Sequence, residues 1–344
     1  MSPDVTAAWI AAGVGIVTVI ATVVAQMVGF SSTRTSTADQ IKATQKATAD
    51  TLDQQREQLS KTLEAQSDQL ERTLTEQRTR TWNERFATAA EQLGSDKPPV
   101  RLAGVYAMAG LADDWEENRQ TCVDVLCAYL RMPYDPDPGR DAPEQLAFQA
   151  MRQVRHTVIR VITAHLRNGA EVSWQGLFFD FNGVIFDGGD FRGAEFSGSF
   201  AVFDNAEFAG GTVRFNDAKF SGGEVYFSDA KFAGGTVSFK RAEFSGGTVS
   251  FRRIELSGAA IEFSGAKFLG GTVSFLDARF SGGTVRFRNA KFSGATVDFT
   301  DTQFPGGTVD FSDAGDWSFP PALPWTDTPP SGVMLPEGQE GRFR

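Results

Sequence analysis

The first pattern of apolar positions is an uninterrupted run near the start of the chain. Residues 7–28 read AAWIAAGVGIVTVIATVVAQMV and contain no charged side chain. About 20 apolar residues are enough to cross the hydrocarbon core of a bilayer as an α-helix. A secretory signal peptide would start with basic residues and have a shorter apolar core, whereas this chain starts Met-Ser-Pro-Asp. The pattern therefore predicts a transmembrane anchor, residues 1–30, that contacts membrane lipid through residues 7–28.

The charged residues beside this run predict its orientation. Arg34, Lys42 and Lys46 follow the run, and no Lys or Arg precedes it. Basic residues flank membrane helices on the cytoplasmic side. We therefore expect a single-pass protein of the cell membrane whose later domains are cytoplasmic. The two cysteines, Cys122 and Cys127, are too few for a disulfide framework, so we expect buried free thiols.

A second pattern, in residues 31–83, places leucines at an eleven-residue period. The segments TLDQQREQLSK, TLEAQSDQLER and TLTEQRTRTWN follow one another from residue 51. Their leucines are Leu52, Leu59, Leu63, Leu70 and Leu74. Spacings of seven and four keep these residues on one helix face, and an eleven-residue period implies a nearly straight or slightly right-handed coil. The pattern predicts a helical stalk that self-associates in parallel; a solvated spacer helix, or one packed on its own domain, is the alternative.

Residues 84–168 have helix-like spacing that is interrupted by turn signals, which predicts a small α-helical domain. The Pro/Asp/Gly run at residues 133–143 predicts a loop before the last helix. Both histidines of the chain, His156 and His165, fall in that last helix. Neither has an Asp, Glu or His neighbour at the spacing of a metal site or proton relay, so we expect packed or solvated side chains.

From residue 172 onward the aromatic residues follow a regular grid. The steps are five residues long from Phe181 to Phe196, and then alternate between seven and five as far as Phe311. Of the 24 grid positions, counted from Trp174, only Trp174 and Leu256 are not phenylalanine. The grid therefore contains 22 of the 30 phenylalanines and explains the excess of Phe in a chain that has only 4 tyrosines.

The units of this grid, such as VIFDG, GDFRG and AEFSG, resemble the pentapeptide-repeat family. The resemblance covers residues 172 to about 313. It implies a mainly β protein with a right-handed quadrilateral β-solenoid, in which each unit forms one face. The Phe and the residue two positions before it would point inward. The preceding segments, WNERFATAAEQLGSDKPPVRLAGVYAMAGLADD and CVDVLCAYLR, resemble those of membrane-linked pentapeptide-repeat proteins of high-GC bacteria.

The chain departs from the plain family pattern because every second unit carries two extra residues, commonly within Ser-Gly-Gly-Thr-Val. Glycine suits a widened corner because it adopts φ > 0 without steric cost. Two twelve-residue copies would close one coil of 24 residues. About six coils, stacked roughly 4.8 Å apart, would form a rod about 29 Å long. Aspartates recur at one corner register, where Arg241 and Arg253 interrupt them, and we expect these aspartates to be solvated.

We assign residues 169–314 to the solenoid and residues 315–344 to a cap and a Pro-rich disordered tail. A solenoid needs its ends covered. The helical domain is expected to cover one end, and Trp317, Phe319 and Trp325 the other.

Charge and motifs restrict the chemistry. The net charge of -10 argues against a nucleic-acid-binding domain, which should show a basic patch. No phosphate-binding loop, nucleophile elbow or His-Glu-x-x-His motif occurs. Acyltransferases with a similar solenoid use a catalytic histidine, and the repeats of this chain contain no histidine. The Gly-Gly-Thr-Val motif also differs from the calcium-binding Gly-Gly-x-Gly-x-Asp repeat. We therefore predict no catalytic residue, no metal site and no cofactor.

In the repeats the inward residues are fixed, whereas the outward residues vary freely, which suits a protein-binding surface. The sequence therefore predicts a membrane-anchored, non-enzymatic scaffold for an unidentified protein partner. Its candidate interaction surface consists of basic residues, namely Lys219, Lys231, Arg252, Arg253, Lys267, Arg279 and Lys291. The alternative is a DNA mimic that modulates a type II topoisomerase, as some members of the resembled family are. Basic residues in the repeats count against that alternative, since a duplex mimic should present unbroken negative stripes.

Overall fold

The computed structural model describes residues 36–137, 139, 141–325 and 328–339. The predicted anchor at residues 7–28 lies outside these residues. None of the helices in the described part of the chain is long and apolar enough to cross a membrane. The chain divides into two compact units between Gln77 and Arg78.

Helix α1 occupies Ser36–Leu93 without a break, so the predicted stalk and the first helix of the helical domain are one continuous element. In the first unit its leucine stripe is exposed, with 50 % of Leu52 and 61 % of Leu70 accessible. Threonine hydroxyls along this helix donate to carbonyl oxygens one turn earlier, as Thr62 does to Gln58 at 2.8 Å. The first unit therefore presents an apolar stripe on an otherwise polar helix.

Three more helices follow in the second unit. They are α2 (Pro98–Asp114), α3 (Arg119–Arg131) and α4 (Ala142–Leu166), with a 3-10 turn at Glu116–Asn118 between α2 and α3. Helix α2 begins with two prolines, which fit the first turn because the N–H groups there have no helical partner. Gly104 lets α2 approach the end of α1, since a Cβ there would lie 2.6 Å from the backbone nitrogen of Leu93.

Short parallel strands follow, and within the described residues they form three sheets. The first sheet contains β1 (Phe178–Asp180), β4 (Phe200–Val202), β7 (Lys219–Tyr226), β10 (Glu243–Ser250), β13 (Lys267–Ser274), β16 (Lys291–Phe292) and β17 (Thr296–Asp298). The second contains β2 (Ile185–Phe186), β5 (Glu207–Phe208), β8 (Lys231–Phe232), β11 (Glu255–Leu256) and β14 (Arg279–Phe280). The third contains β3 (Gly189–Asp190), β6 (Thr212–Arg214), β9 (Thr236–Ser238), β12 (Ala260–Glu262), β15 (Thr284–Arg286), β18 (Thr308–Asp310) and β19 (Val333–Met334).

The strand register confirms a β-solenoid whose coil contains two sequence repeats. Glu243 pairs with Lys219 on one side and with Lys267 on the other, and both are 24 positions away. The first coil is two residues shorter, because Phe179 pairs with Ala201. The chain completes about six turns in this way.

The core consists of four stacked columns of side chains, one for each step of the coil. In the first column, Phe227 lies 4.6 Å from Phe203 and 4.8 Å from Phe251, measured between ring centroids. Rings of different columns meet edge-on, as Phe251 and Phe239 do at 5.6 Å. The residue two positions before each phenylalanine of the columns is buried too, as at Val225. Burying each aromatic side chain contributes about 1.5–3 kcal/mol, so the columns dominate the stability of the solenoid.

Two kinds of corner join the faces. Tight corners are four-residue turns such as Phe203 to Ala206, in which the nitrogen of Ala206 donates to the oxygen of Phe203 at 3.1 Å. The third residue of such a turn has positive φ, for example 56° at Asn205, which Asn and Asp tolerate better than most residues. The wide corners contain the Gly-Gly pairs. Gly247 has φ of 68°, and a Cβ there would lie 2.2 Å from the oxygen of Gly223 in the preceding coil.

The far end of the solenoid is covered by residues after the last column. Trp317 packs edge-on against Phe292 and Phe311 at 5.2 and 5.4 Å, and Trp325 packs against Phe304 at 5.6 Å. Phe319 is 56 % exposed, so its side chain does not cover this end, but its backbone nitrogen donates to the oxygen of Phe292 at 2.8 Å. The prediction of a disordered tail is wrong for Val333–Met334, which form β19 and pair with β18.

Candidate interaction surface

The near end of the solenoid is covered by polar side chains of the helical domain. The Gln120 amide on α3 donates to the oxygen of Phe178 at 2.8 Å, and the nitrogen of Phe178 donates back to Gln120 Oε1 at 3.0 Å. These are the bonds that a neighbouring strand would make to β1. The buried Arg155 donates to the oxygen of Ile185 at 2.7 Å, and Thr163 donates to that of Asp190 at 2.8 Å. The helical domain thus satisfies backbone groups that the first coil would otherwise leave unpaired.

Asp187 is the centre of this junction. Its carboxylate accepts hydrogen bonds from Tyr134 at 2.7 Å and Arg152 at 2.7 Å, and lies 3.0 Å from His156 Nε2. Burial of the carboxyl disfavours its ionised form. The hydrogen bonds from His156 and Tyr134 and the charge of Arg152 outweigh that effect and lower the pKa of Asp187 to about 2. The Asp187 carboxylate is therefore ionised at neutral pH and holds the side chains of the junction together.

The second histidine also serves the junction. The His165 ring stacks on Trp174 with centroids 4.0 Å apart, and its Nε2 lies 3.1 Å from Asp113 Oδ2. The Trp174 indole donates to the other oxygen of Asp113 at 2.9 Å. Both histidines are packed, which is one of the two possibilities that the sequence left open, and each lies beside an aspartate that is distant in sequence. Both connect α4 to the first coil or to its neighbouring loop.

The cysteines are buried free thiols in α3, which confirms the sequence-based expectation. Burial raises the pKa of the Cys122 thiol to about 11 and that of the Cys127 thiol to about 12. A thiol is reactive as its thiolate. Both side chains therefore behave as small apolar groups at neutral pH.

Five of the seven predicted basic residues lie on two different sheets, where most of them alternate with glutamates. Ladder A, on the first sheet, consists of Glu195, Lys219, Glu243, Lys267 and Lys291. Ladder B, on the second sheet, consists of Glu207, Lys231, Glu255 and Arg279. In ladder A the Lys219 ammonium lies 2.5 Å from Glu195, and that of Lys267 lies 3.6 Å from Glu243. Most of each ladder therefore presents alternating charge rather than a basic stripe.

Arg252 and Arg253 lie at a tight corner, away from both ladders. Arg253 makes two hydrogen bonds, of 2.8 and 2.6 Å, to Asp229 in the preceding coil, and Arg252 lies 3.6 Å from Asp277 in the following one. Arg241 pairs in the same way with Asp217, at 2.7 Å for both bonds. The corner aspartates at 217 and 229 are exposed, as expected, but the arginines that interrupt their register are their ion-pair partners.

An exposed cluster of rings that the sequence analysis missed lies on the first sheet. The aromatic patch consists of Phe178, Phe200 and Tyr226. Phe178 and Phe200 are 38 % and 40 % exposed. The Phe178 and Phe200 ring centroids are 5.4 Å apart, and Tyr226 meets Phe200 edge-on at 5.4 Å. Later coils carry Thr248, Thr272 and Thr296 in the column of Phe178 and Phe200, and Ser250 and Ser274 in the column of Tyr226. The sequence contained a signal for this patch, because the segments Phe-Ala-Val at 200–202 and Glu-Val-Tyr at 224–226 stand where two later coils have Thr-Val-Ser.

Acidic groups border the aromatic patch. The Tyr226 hydroxyl donates to Glu224 at 2.7 Å. This hydrogen bond, burial and the negative charges of Glu224 and Asp204 raise the pKa of Tyr226 to about 12. On the other side, the Gln120 amide that bonds Phe178 also donates to Asp124 at 2.8 Å. The patch therefore combines an apolar centre with a negative rim.

Comparisons of the chain with protein-family models, with curated proteins and with solved structures found no match.

Proposed function

We propose that this chain is a non-enzymatic protein-interaction scaffold, held at the cytoplasmic face of the cell membrane by its predicted anchor, with the aromatic patch as its docking site. The patch is the observation that carries the proposal. Aromatic side chains dominate the energetics of protein interfaces, and three of them lie together here at positions where later coils have Thr or Ser. Nothing in the core requires these rings, because they point away from it.

The patch is also held rigidly, which supports a role in binding. Its residues lie on β1, β4 and β7, which are paired with one another in one parallel sheet. Gln120 fixes the outer edge of β1, and Phe179 and Phe181 anchor it from beneath. A preorganised surface loses little conformational entropy on binding. The solenoid thus acts as a frame that presents the patch.

We also propose that the chain belongs to the pentapeptide-repeat family and that its solenoid is right-handed and quadrilateral. Four stacked columns and steps of five and seven residues support it. The acid–base groups at the junction support a non-enzymatic role, because His156 and Tyr134 of the helical domain both bond to Asp187 of the first coil.

The structure favours no second function. A DNA mimic needs continuous negative charge along a face, whereas ladders A and B contain lysine and arginine between their glutamates. The alternative can be tested with a supercoiling assay of a type II topoisomerase. It would be supported if the purified chain inhibits supercoiling and a variant with substituted glutamates in ladders A and B does not.

Co-purification tests the scaffold proposal. The full-length chain is recovered from detergent-solubilised membranes beside a Phe178→Thr/Phe200→Thr variant, which introduces the residue of the later coils. The matched control is Leu269→Ser, which removes another exposed apolar side chain and introduces the serine found in other repeats. We expect the double variant to lose specific partner proteins that the wild type and the control retain. Identical protein sets in all three samples would refute the proposal.

A further inference from the structure

We propose that the partner of the aromatic patch is a protein segment in which an apolar anchor residue stands next to Lys or Arg. This inference rests on the proposed function, and it names the chemistry of the partner. The rings select the anchor, and the acidic rim selects the charge beside it.

Within the described part of the chain no direct ion pair neutralises the rim, although the nearby charge of Arg253 acts on Asp204. Among the described residues, no Lys, Arg or His lies within ion-pair distance of Glu224, Asp204 or Asp124. Elsewhere on the solenoid many outward carboxylates form an ion pair with a basic residue of an adjacent coil, as Glu195 does with Lys219 and Asp229 does with Arg253. The negative charge at the patch is therefore available to a partner.

Burial makes this charge more costly to leave unpaired. Burial raises the pKa of Asp204 above its ordinary value, and the nearby charge of Asp229 adds to it; hydrogen bonds from Ser228 and the charge of Arg253 offset this only in part. Glu224 receives one hydrogen bond from Tyr226 through Oε2. A partner's ammonium or guanidinium close to these groups would stabilise their ionised forms.

The rings reinforce the same preference. A guanidinium or ammonium is attracted to the face of an aromatic ring, and Arg also stacks on it. Phe178 and Phe200 expose part of their surface to solvent and can take such a contact beside an apolar anchor. An anionic ligand, such as a phosphate of nucleic acid or lipid, would be repelled by Glu224 and Asp204.

The test uses the purified full-length chain in detergent and three fluorescent peptides. The peptides share one Phe-Leu anchor and differ only in whether Lys, Gln or Glu flanks it. We expect the Lys peptide to bind about three- to tenfold more tightly than the Gln peptide, and the Glu peptide to bind most weakly. The preference should shrink in high salt, since the screening length falls from about 10 Å at 0.1 M to about 3 Å at 1 M ionic strength.

Variants separate the contribution of charge from that of the rings. Glu224→Thr, which introduces the residue of the next coil, should reduce the ratio of the affinity for the Lys peptide to that for the Gln peptide. Asp298→Ser removes a carboxylate from the same sheet, three coils from Glu224, and should change neither. Phe178→Thr/Phe200→Thr should weaken binding of all three peptides.

The outcomes are distinguishable. Equal binding of the Lys and Glu peptides, no binding of any peptide, or patch-dependent binding of phosphatidylserine vesicles or duplex DNA would each overturn the proposed partner chemistry. If co-purified proteins still depend on Phe178 and Phe200 in that case, the scaffold function stands and only the charge preference fails. If the double variant changes neither peptide binding nor co-purification, the patch is not a docking site.

Discussion

Replacing Gly247 by alanine tests the close approach between successive coils. Gly247 has φ of 68°, and its added Cβ would lie 2.2 Å from the carbonyl oxygen of Gly223. That separation is far inside van der Waals contact, and the obstructing atom belongs to the backbone rather than to a flexible side chain. The strand β10 must therefore move away from β7 to accept the methyl group.

The expected cost has two parts. A residue with a Cβ in the left-handed region costs about 1–2 kcal/mol. Displacing the bulged strand weakens one or more backbone hydrogen bonds between coils, each with a net value of about 1 kcal/mol. We therefore expect Gly247→Ala to lower the free energy of unfolding by about 3 kcal/mol.

Gly183→Ala is the matched control. Gly183 has nearly the same φ, 69°, but no neighbouring atom lies within 4 Å of its added Cβ. It should therefore show only the conformational cost, about 1–2 kcal/mol. Urea denaturation of both variants, followed by circular dichroism and tryptophan fluorescence, gives the comparison. Equal losses of stability in the two variants would refute the argument from coil-to-coil contact.

Three further substitutions test the junction and the stalk. Gln120→Ala should cost about 1–2 kcal/mol in urea denaturation because it leaves the backbone of β1 unpaired, whereas alanine at the exposed Gln149 should not; equal effects would contradict the capping role. Leu63→Glu should dissociate detergent-solubilised oligomers in analytical ultracentrifugation, while Ala65→Glu on the opposite helix face should not; a wild-type monomer would contradict stalk self-association. Asp187 has a folded pKa of about 2 against an ordinary value of 3.8, so its stabilisation is complete above about pH 4 and is lost as pH falls towards 2. The stability difference between wild type and Asp187→Asn should shrink over that range, and a difference that grows there would contradict the assignment.

The core could be predicted from the sequence because its signal is local and repeated. Each step of five or seven residues brings the chain back to the axis with the same two inward side chains. Phe227 and its companion Val225 are buried for this reason, as are their equivalents in the other coils. The glycines of the wide corners and the Asn or Asp residues of the tight corners carry similar local signals, because positive φ restricts which residues fit.

The junction could not be predicted in the same way. Gln120 and Phe178 are 58 positions apart, and Trp174 is 61 positions from Asp113. Nothing in the repeat pattern relates such residues to each other, because they meet only when the helical domain packs on the first coil. Gln120, Arg155 and Asp187 therefore look like ordinary polar residues in the sequence, although they form the cap.

The inward half of the solenoid follows from the residue pattern alone, whereas the neighbours of each outward side chain depend on how the coils close. Consecutive repeats look equivalent, so Lys219 and Lys231 stand in the same column of a sequence alignment. A coil closes only after two repeats, which places these lysines on different sheets, each beside glutamates of the adjacent coils. The same closure brings Phe178 against Phe200 and Tyr226 beside them. Burial of a side chain at the axis depends on its position in its own repeat, so the sequence shows it. An outward surface such as the aromatic patch is formed by residues of different coils, so only the tertiary structure shows it.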